Sequence, residues 1–326
     1  MIKIIKENKT TIIILLIVYM LFQIKLPFYV NAPGGTININ NRIKYKDKVE
    51  YNGSLNMLYV TEYIATPPTY LLSYIIKDWD LEDIGESKIS NETPEEIEYR
   101  NKIMLENSIN NAKYIAYKEA GKEITVSSQK NVVIGTTLNN GLKIGDEILE
   151  LNNQKVKDTN MLKEFIASHS VGDKLSLKIK RNNETITKEI EIKEQGNNKI
   201  IGVLIVTNYT YKTNPEIEIK FKPSESGSSG GLMMALSIYC AIEEEDLLKG
   251  RNIAGTGTIE EDGTVGEIAG IKYKIIGAHK NKIDTVLVPS ANYKEAKKIV
   301  EERKYNMQVV EIKTFKDAIE YLKKTK

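Results

Sequence analysis

Apolar and polar positions repeat with two different periods along this chain, and the changes between them divide it. Residues 10–24 are almost wholly apolar, Gln23 being the one strongly polar side chain. Residues 34–65 alternate polar with apolar, and Gly34-Gly35 and Asn52-Gly53 read as turns, which predicts strands and hairpins. Thr66-Pro67-Pro68 interrupts the pattern; a short helical patch over 70–79 and a polar loop over 80–91 follow. Thr93-Pro94-Glu95-Glu96 has the order of a helix start, with Thr93 as N-cap, Pro94 in the first turn and Glu96 closing a capping box. Ile97, Leu105, Ile109, Ala112, Ile115 and Ala116 then share one helical face, up to about residue 119.

From 124 to 193 the texture returns to short strands, at 132–134, 147–151 and 175–179, with one helix near 160–167. Gln195-Gly196-Asn197-Asn198 reads as the loop that ends this stretch. Strands are expected at 200–207, 217–221, 254–260 and 285–288, and helices after residue 230 and at 271–279, 293–302 and 315–323. Such alternation implies an α/β or α+β catalytic unit. There is no fixed-period repeat.

The flank of the apolar amino-terminal run is basic, with Lys3, Lys6 and Lys9. A retained transmembrane anchor over 10–26 is expected, with residues 1–9 in the cytoplasm and the remainder outside. A cleaved signal peptide is the rival reading, since Val30 and Ala32 mimic the small-residue cleavage pattern. Pro33 directly after Ala32 argues against cleavage there, because its ring fixes the backbone and removes an N–H.

Composition narrows the function mainly by exclusion. With 46 basic and 44 acidic side chains the net charge is +2, which gives no case for a nucleic-acid partner. The one cysteine, Cys240, cannot form an intrachain disulfide and lies within an apolar helix, as core packing would. His169 and His279 are too few and too scattered for a metal site, so no metal or cofactor is expected.

The chemistry-bearing segment runs Ser224-Glu225-Ser226-Gly227-Ser228-Ser229-Gly230-Gly231-Leu232-Met233-Met234, a serine–glycine turn entering an apolar helix. A helix start offers free N–H groups and a field that favours a developing negative oxygen. A flexible loop is the bland alternative. No Lys-Ser or Lys-Thr follows the glycines, so this is no phosphate loop. Nor do Gly255, Gly257, Gly263, Gly266 and Gly270 have the spacing of a dinucleotide fingerprint. Downstream, Gly266-Glu267-Ile268-Ala269-Gly270-Ile271-Lys272-Tyr273-Lys274 forms a second turn and helix. A lysine can take a serine proton only if burial lowers its pKa. At about 100° per residue, Lys272 falls between Ile275 and Ile276 on the apolar face, Lys274 at its edge and Lys280 away from it. A snorkelling Lys272 and a Ser–His arrangement using His279 are the alternatives.

These two segments resemble the active-site signatures of Lon-type serine peptidases, in which a Pro-Ser-Ala-Gly turn carries the nucleophile and a Gly-Gly-Leu/Ile-Lys segment the lysine. The resemblance implies Ser229 as nucleophile, Lys272 as its partner, Thr256 in contact with that lysine, and Gly227 and Ser228 as supports of the oxyanion site. Pro289 and Asn292 match a further downstream pattern. Serine replaces the usual proline at 228 and glycine the usual alanine at 230, which makes Ser228 the rival nucleophile. Gly141-Leu142-Lys143-Ile144-Gly145-Asp146, with the strand after it, is similar to the most recognisable segment of PDZ domains. Leu26-Pro27-Phe28-Tyr29-Val30, Pro33-Gly34-Gly35, Arg100, Ser108 and Ala112 extend the likeness to membrane-anchored, PDZ-containing Lon-like proteases of Gram-positive bacteria.

The implied fold is α+β: an N-terminal transmembrane helix, an early part of the peptidase unit over 27–120, an inserted PDZ-like domain over 121–195 and a Lon-type catalytic domain over 196–326. The implied function is that of a membrane-tethered, ATP-independent serine endopeptidase at the outer face of the cell membrane. It would cleave extracellular or membrane-associated polypeptides with PDZ assistance, its other partner being membrane lipid. The alternative is a catalytically decayed, membrane-bound PDZ scaffold that binds peptides without cleaving them.

Overall fold

The computed structural model describes residues 8–45, 52–86, 88–89, 92–243 and 246–324. Its larger unit is built on a six-stranded sheet. In order across the sheet these are β18 (Gln308–Ile312), β17 (Thr285–Pro289), β14 (Asn252–Gly255), β3 (Ser54–Ile64), β1 (Phe28–Asn38) and β4 (Asp80–Asp83). The first four are parallel to their neighbours, and β1 runs antiparallel to both β3 and β4. Crossover helices α6 (Ile271–Lys280) and α7 (Ser290–Glu302) join the parallel strands, and α8 (Phe315–Lys324) follows β18.

Successive strand residues face opposite ways, and the sequence supplies apolar groups to both sides. Leu55, Met57, Ile253 and Leu287 pack under α3 (Pro94–Glu119), α5 (Gly231–Glu243) and α8. Leu58, Ala254, Val286 and Val288 pack under α6 and α7. Helix α5 is buried from Gly231 through Ile242, which is why it is apolar all round; Cys240 is one of its core side chains. Thr93 caps α3 as expected, accepting from the Glu96 N–H at 3.2 Å, while Glu96 accepts from the Thr93 N–H at 2.9 Å.

Between α3 and α5 the chain leaves this unit to form a second one. Its sheet has the order β12 (Val203–Asn214), β5 (Glu123–Thr136), β6 (Glu147–Leu151), β8 (Lys174–Arg181), β9 (Glu184–Glu191), with β7 (Gln154–Lys155) beside β6. Helix α4 (Thr159–Ser168) and a hairpin of β10 (Lys193–Gln195) and β11 (Asn198–Ile200) complete it. Val133, Ile148, Leu151, Leu162, Leu175, Leu177 and Ile179 form its own core. Asp146 of the Gly-Asp motif is buried and accepts a fork from Arg181, Nε at 2.7 Å and an Nη at 2.6 Å. Strand β12, placed by sequence with the catalytic residues, is hydrogen-bonded to β5 along its length. The chain then re-enters the first unit through β13 (Glu218–Ile219), which pairs with β2 (Ile43–Lys44). A last small pair, β15 (Thr258–Ile259) and β16 (Val265–Gly266), follows β14.

Three expectations are corrected. The stretch read as a polar loop over 80–91 contains the edge strand β4, and Gln308–Ile312 forms a strand that was not anticipated. Helix α1 (Lys9–Gln23) has 15 residues and gives way to extended backbone at Ile24. At 1.5 Å per residue it is roughly 22 Å long, against about 30 Å of bilayer hydrocarbon. Among the described residues no helix is long and apolar enough to cross a membrane. Val30 and Ala32, the residues of the signal-peptide reading, are buried within β1, so cutting after Ala32 would remove the half of that strand that pairs with β4.

Two helix departures of α2 (Pro67–Ser73) and α6 set the environment of the site. Helix α2 sits where β3 ends, started by Pro67 with a Thr66–Thr69 capping box. Helix α6 lies close over β1 because Gly277 has no side chain: a Cβ there would stand 2.9 Å from the Gly34 carbonyl oxygen. Gly277→Val should therefore push α6 off the sheet and lower stability by about 1–3 kcal/mol in urea unfolding, with Gly277→Ala intermediate.

Candidate active site

The chemistry gathers where the parallel strands end, at the junctions after β14 and before α5 and α6. Strand β14 ends at Gly255, and Thr256, fully buried, follows it. Its N–H donates to the Leu287 carbonyl at 3.0 Å, which fixes it against β17. The Thr256 hydroxyl donates to the Ser229 carbonyl at 3.0 Å, and the Gly257 N–H donates to the same oxygen at 2.7 Å. In return the Leu232 N–H donates to the Gly257 carbonyl at 3.1 Å. The serine turn is thus held to the end of β14 by bonds in both directions.

The lysine that reaches this junction is Lys274. It is 3% exposed, and its ammonium donates to Thr256 Oγ1 at 3.0 Å. Burial in apolar surroundings pushes its pKa down to about 7. Thr256 Oγ1 hence accepts from Lys274 while donating to Ser229, so one hydroxyl links the two segments.

Lys272 is elsewhere. Its ammonium pairs with Asp80 Oδ2 at 2.5 Å, with the lysine side chain 37% exposed, and the Tyr273 hydroxyl donates to the same oxygen at 2.8 Å. The assignment of Lys272 to the buried face is corrected by two positions. An apolar count along α6 gives Ile276 weight and Gly277 none, although the close approach lies on the Gly277 side. Lys274 falls between Gly277 and Ala278 when the helix is viewed down its axis, inside the buried arc. A glycine inside that helix was the available signal. Asn292 fixes the turn before α6, exchanging hydrogen bonds with the Ile268 N–H and C=O at 3.0 and 2.9 Å.

Ser228 and Ser229 are both half-buried. The Ser228 carbonyl accepts from the buried Ser108 hydroxyl of α3 at 3.0 Å and from the Gly231 N–H at 3.2 Å. Ser108 is thus a contact to the turn from a distant helix. Gly227, with φ +91°, donates its N–H to the Asn101 carbonyl at 2.9 Å, so that group is not available to an oxyanion. Among the described residues the Ser229 and Gly230 N–H groups have no hydrogen-bond acceptor. A Cβ at Gly230 would stand 1.9 Å from Met57 Sδ, so alanine at this position would require the Met57 side chain to move. His279 is exposed and stacks on Tyr305 with ring centroids 3.7 Å apart, and His169 lies in the other unit, so neither histidine serves the serine. No group of three or more histidine, cysteine or acidic residues that could hold a metal occurs among the described residues.

Comparison with known families identifies two domains in the chain. Residues 219–324 match the family described as the Lon protease (S16) C-terminal proteolytic domain, and residues 109–192 match the PDZ domain family. The chain therefore carries a serine-type peptidase domain of the Lon class together with a PDZ domain. It is 30% identical over 118 residues to Lon protease 2 of Borreliella burgdorferi, which is 35% of this chain and 15% of that protein. It is 34% identical over 98 residues to the Lon protease of Campylobacter jejuni, which is 30% of this chain and 12% of that one. The chain thus spans less than a sixth of the length of these relatives. Among solved structures, the PDZ domain of an SdrC-like protein from Listeria monocytogenes is 20% identical, with a TM-score of 0.23, covering 25% of this chain and 93% of that one.

The buried amine carries a thermodynamic signature. Its folded pKa of about 7 lies below the ordinary 10.5, so between those values the unfolded chain binds the extra proton and stability rises with pH. Below pH 7 both states are protonated and the full burial penalty stands. Lys274→Met removes that penalty, so its melting temperature should exceed wild type below pH 7, with the advantage shrinking as pH rises toward 10.5. A constant difference across that range, measured by scanning calorimetry, would contradict a buried titrating amine.

Proposed function

We propose that this chain is a serine endopeptidase in which Ser229 is the nucleophile and Lys274 its general base. The observation that carries the reading is the amine of Lys274, buried, held near neutrality and joined to the serine turn through Thr256. At pH 7 about half of such an amine is unprotonated and has a free lone pair. It takes the Ser229 hydroxyl proton as the oxygen attacks a peptide carbonyl carbon. The developing oxyanion is received by N–H groups at the start of α5, where those of Ser229 and Gly230 donate to no other acceptor among the described residues. Collapse of the tetrahedral intermediate breaks the C–N bond, and the ammonium returns its proton to the leaving amine. Water then hydrolyses the ester, with the same amine taking and returning a proton. Thr256 holds the lysine, and Lys272 takes no part in proton transfer.

The PDZ domain would gather substrate. Strand β12 is at the edge of its sheet, with Leu204 exposed on it and the Thr159 N–H of α4 bonded to Thr207 Oγ1 at 3.1 Å beside it. An extended polypeptide adds to such an edge by main-chain hydrogen bonds. On this reading cleavage proceeds without ATP, on peptides or locally unfolded segments. The apolar α1, none of whose residues is buried by protein, would embed in one face of a bilayer and tether the peptidase there.

A peptide library offered to the full-length chain tests the chemistry. Cleavage should fall at least about a hundredfold in Ser229→Ala and in Lys274→Ala and persist in Lys272→Ala. The rate should rise with pH through a midpoint near 7 as the amine loses its proton. Undiminished cleavage in both Ser229→Ala and Lys274→Ala would overturn the mechanism. Peptide binding with no cleavage by the wild-type chain would instead favour a non-catalytic scaffold.

A further inference from the structure

Helix α2 and the turn after it, residues 67–79, put large apolar groups on the outside of the molecule. Leu71 is 64% exposed, Tyr74 71% and Ile75 78%, with Leu72 and Ile76 also in the open. A contiguous set of this kind on a folded surface marks a contact. We propose that this segment is a lipid-embedding platform that seats the peptidase in the interfacial layer of a bilayer. The proposal rests on the reading that α1 is inserted in lipid.

Position argues for lipid as the occupant. The platform lies where α1 leaves off: the Leu26 N–H donates to the Ala65 carbonyl at 2.8 Å, and the Phe28 and Tyr70 rings meet with centroids 5.4 Å apart. Helix α2 also packs against α1 itself. Whatever covers the apolar middle of α1 therefore reaches the exposed side chains of α2. Composition argues the same way. Tyr70, Tyr74 and Trp79 are the residue types enriched at the headgroup level, and Pro67-Pro68 and the capping box hold the segment in shape without it. Exposed Lys25 and Lys77 flank the patch and suit anionic headgroups. The acids beside it are answered within the protein, Asp78 by Arg303 and Asp80 by Lys272 and Tyr273.

Those last contacts give the platform its consequence. Asp80 binds two side chains of α6, the helix that carries Lys274, and Asp78 binds Arg303 at the end of α7. A seated platform thus fixes the height and orientation of the catalytic helix above the membrane, which favours substrates cleaved close to it. Lys272 has a structural part in this arrangement as a strut.

Trp79 is the only tryptophan in the chain and follows the patch directly, its N–H on the Ile76 carbonyl at 3.3 Å, so it reports depth without a label. The full-length chain is reconstituted in phosphatidylcholine–phosphatidylglycerol vesicles with or without bromine on the acyl chains. Trp79 emission should be quenched by the brominated lipid. The double substitution Leu71→Asp, Ile75→Asp, at exposed positions, should lose most of that quenching while the protein still sediments with the vesicles. Sedimentation with vesicles but no quenching, or quenching unchanged in the double variant, would overturn the platform and leave the anchoring by α1 intact. Failure to sediment would overturn both. A crosslinked dimer abolished by the double substitution, with quenching unaffected, would place a second copy on the patch instead.

Discussion

A lysine side chain without water around its ammonium is costly to keep, and the larger unit of this protein is arranged so that Lys274 stays in that condition. Its burial depends on α6 lying close against β1, which Gly277 and Gly34 permit by presenting backbone to backbone. Its direction depends on Thr256, whose place is set by a main-chain bond to β17. Its reach to the serine depends on the same Thr256 hydroxyl, which faces the Ser229 carbonyl. Loosening any of these lets the amine find water or lose its link to the serine turn, and its pKa would return toward the solution value. Burial of this amine and packing of the sheet are therefore one constraint.

The altered serine turn is consistent with this arrangement. Gly230 leaves the space that Met57 fills from β3, and a Cβ on Gly231 would meet Ser108 Oγ and Ile259 Cγ2 at 2.8 Å each. The Ser228 carbonyl accepts from Ser108 and from the Gly231 N–H, and these main-chain contacts restrain the turn whichever side chain stands at 228. The two glycines make room for α3 and β3 to approach the nucleophile. Helix α3 also binds the other unit, since Asn110 donates to the Asn208 side chain of β12 at 2.8 Å inside the protein. One helix thus touches both the edge strand β12 and the serine turn. Ser108 and Asn110 supply the side chains for those contacts, and the apolar periodicity of α3 gives no hint of them.

Local rules carried much of the reading. The capping box at Thr93 and the apolar helix after Gly231 formed where the residues required, and so did the Gly-Asp motif before β6. Each is decided by neighbours in sequence: a side chain that reaches an N–H three residues on, or a face that cannot be left in water. The length of α1 was misjudged because hydropathy does not say where a helix gives way, and Ile24 is already extended as the chain turns to enter β1. The strand at Asp80–Asp83 was missed because its residues are polar. It pairs only with β1 at the rim of the sheet, where burial does not demand an apolar pattern.

By itself the sequence determined the capped helices and the pair of turns that bear the serine and the lysine, because motif, period and turn chemistry are local; the insertion of one unit within the other came only from the resemblance. Which lysine was turned inward only the tertiary structure decided. Lys272 and Lys274 lie almost equally far from the apolar residues of α6, one on either side. The choice between them came from a contact with no apolar signal, the close approach of Gly277 to the Gly34 backbone, and from Asp80, 192 residues away along the chain, which drew Lys272 to the surface.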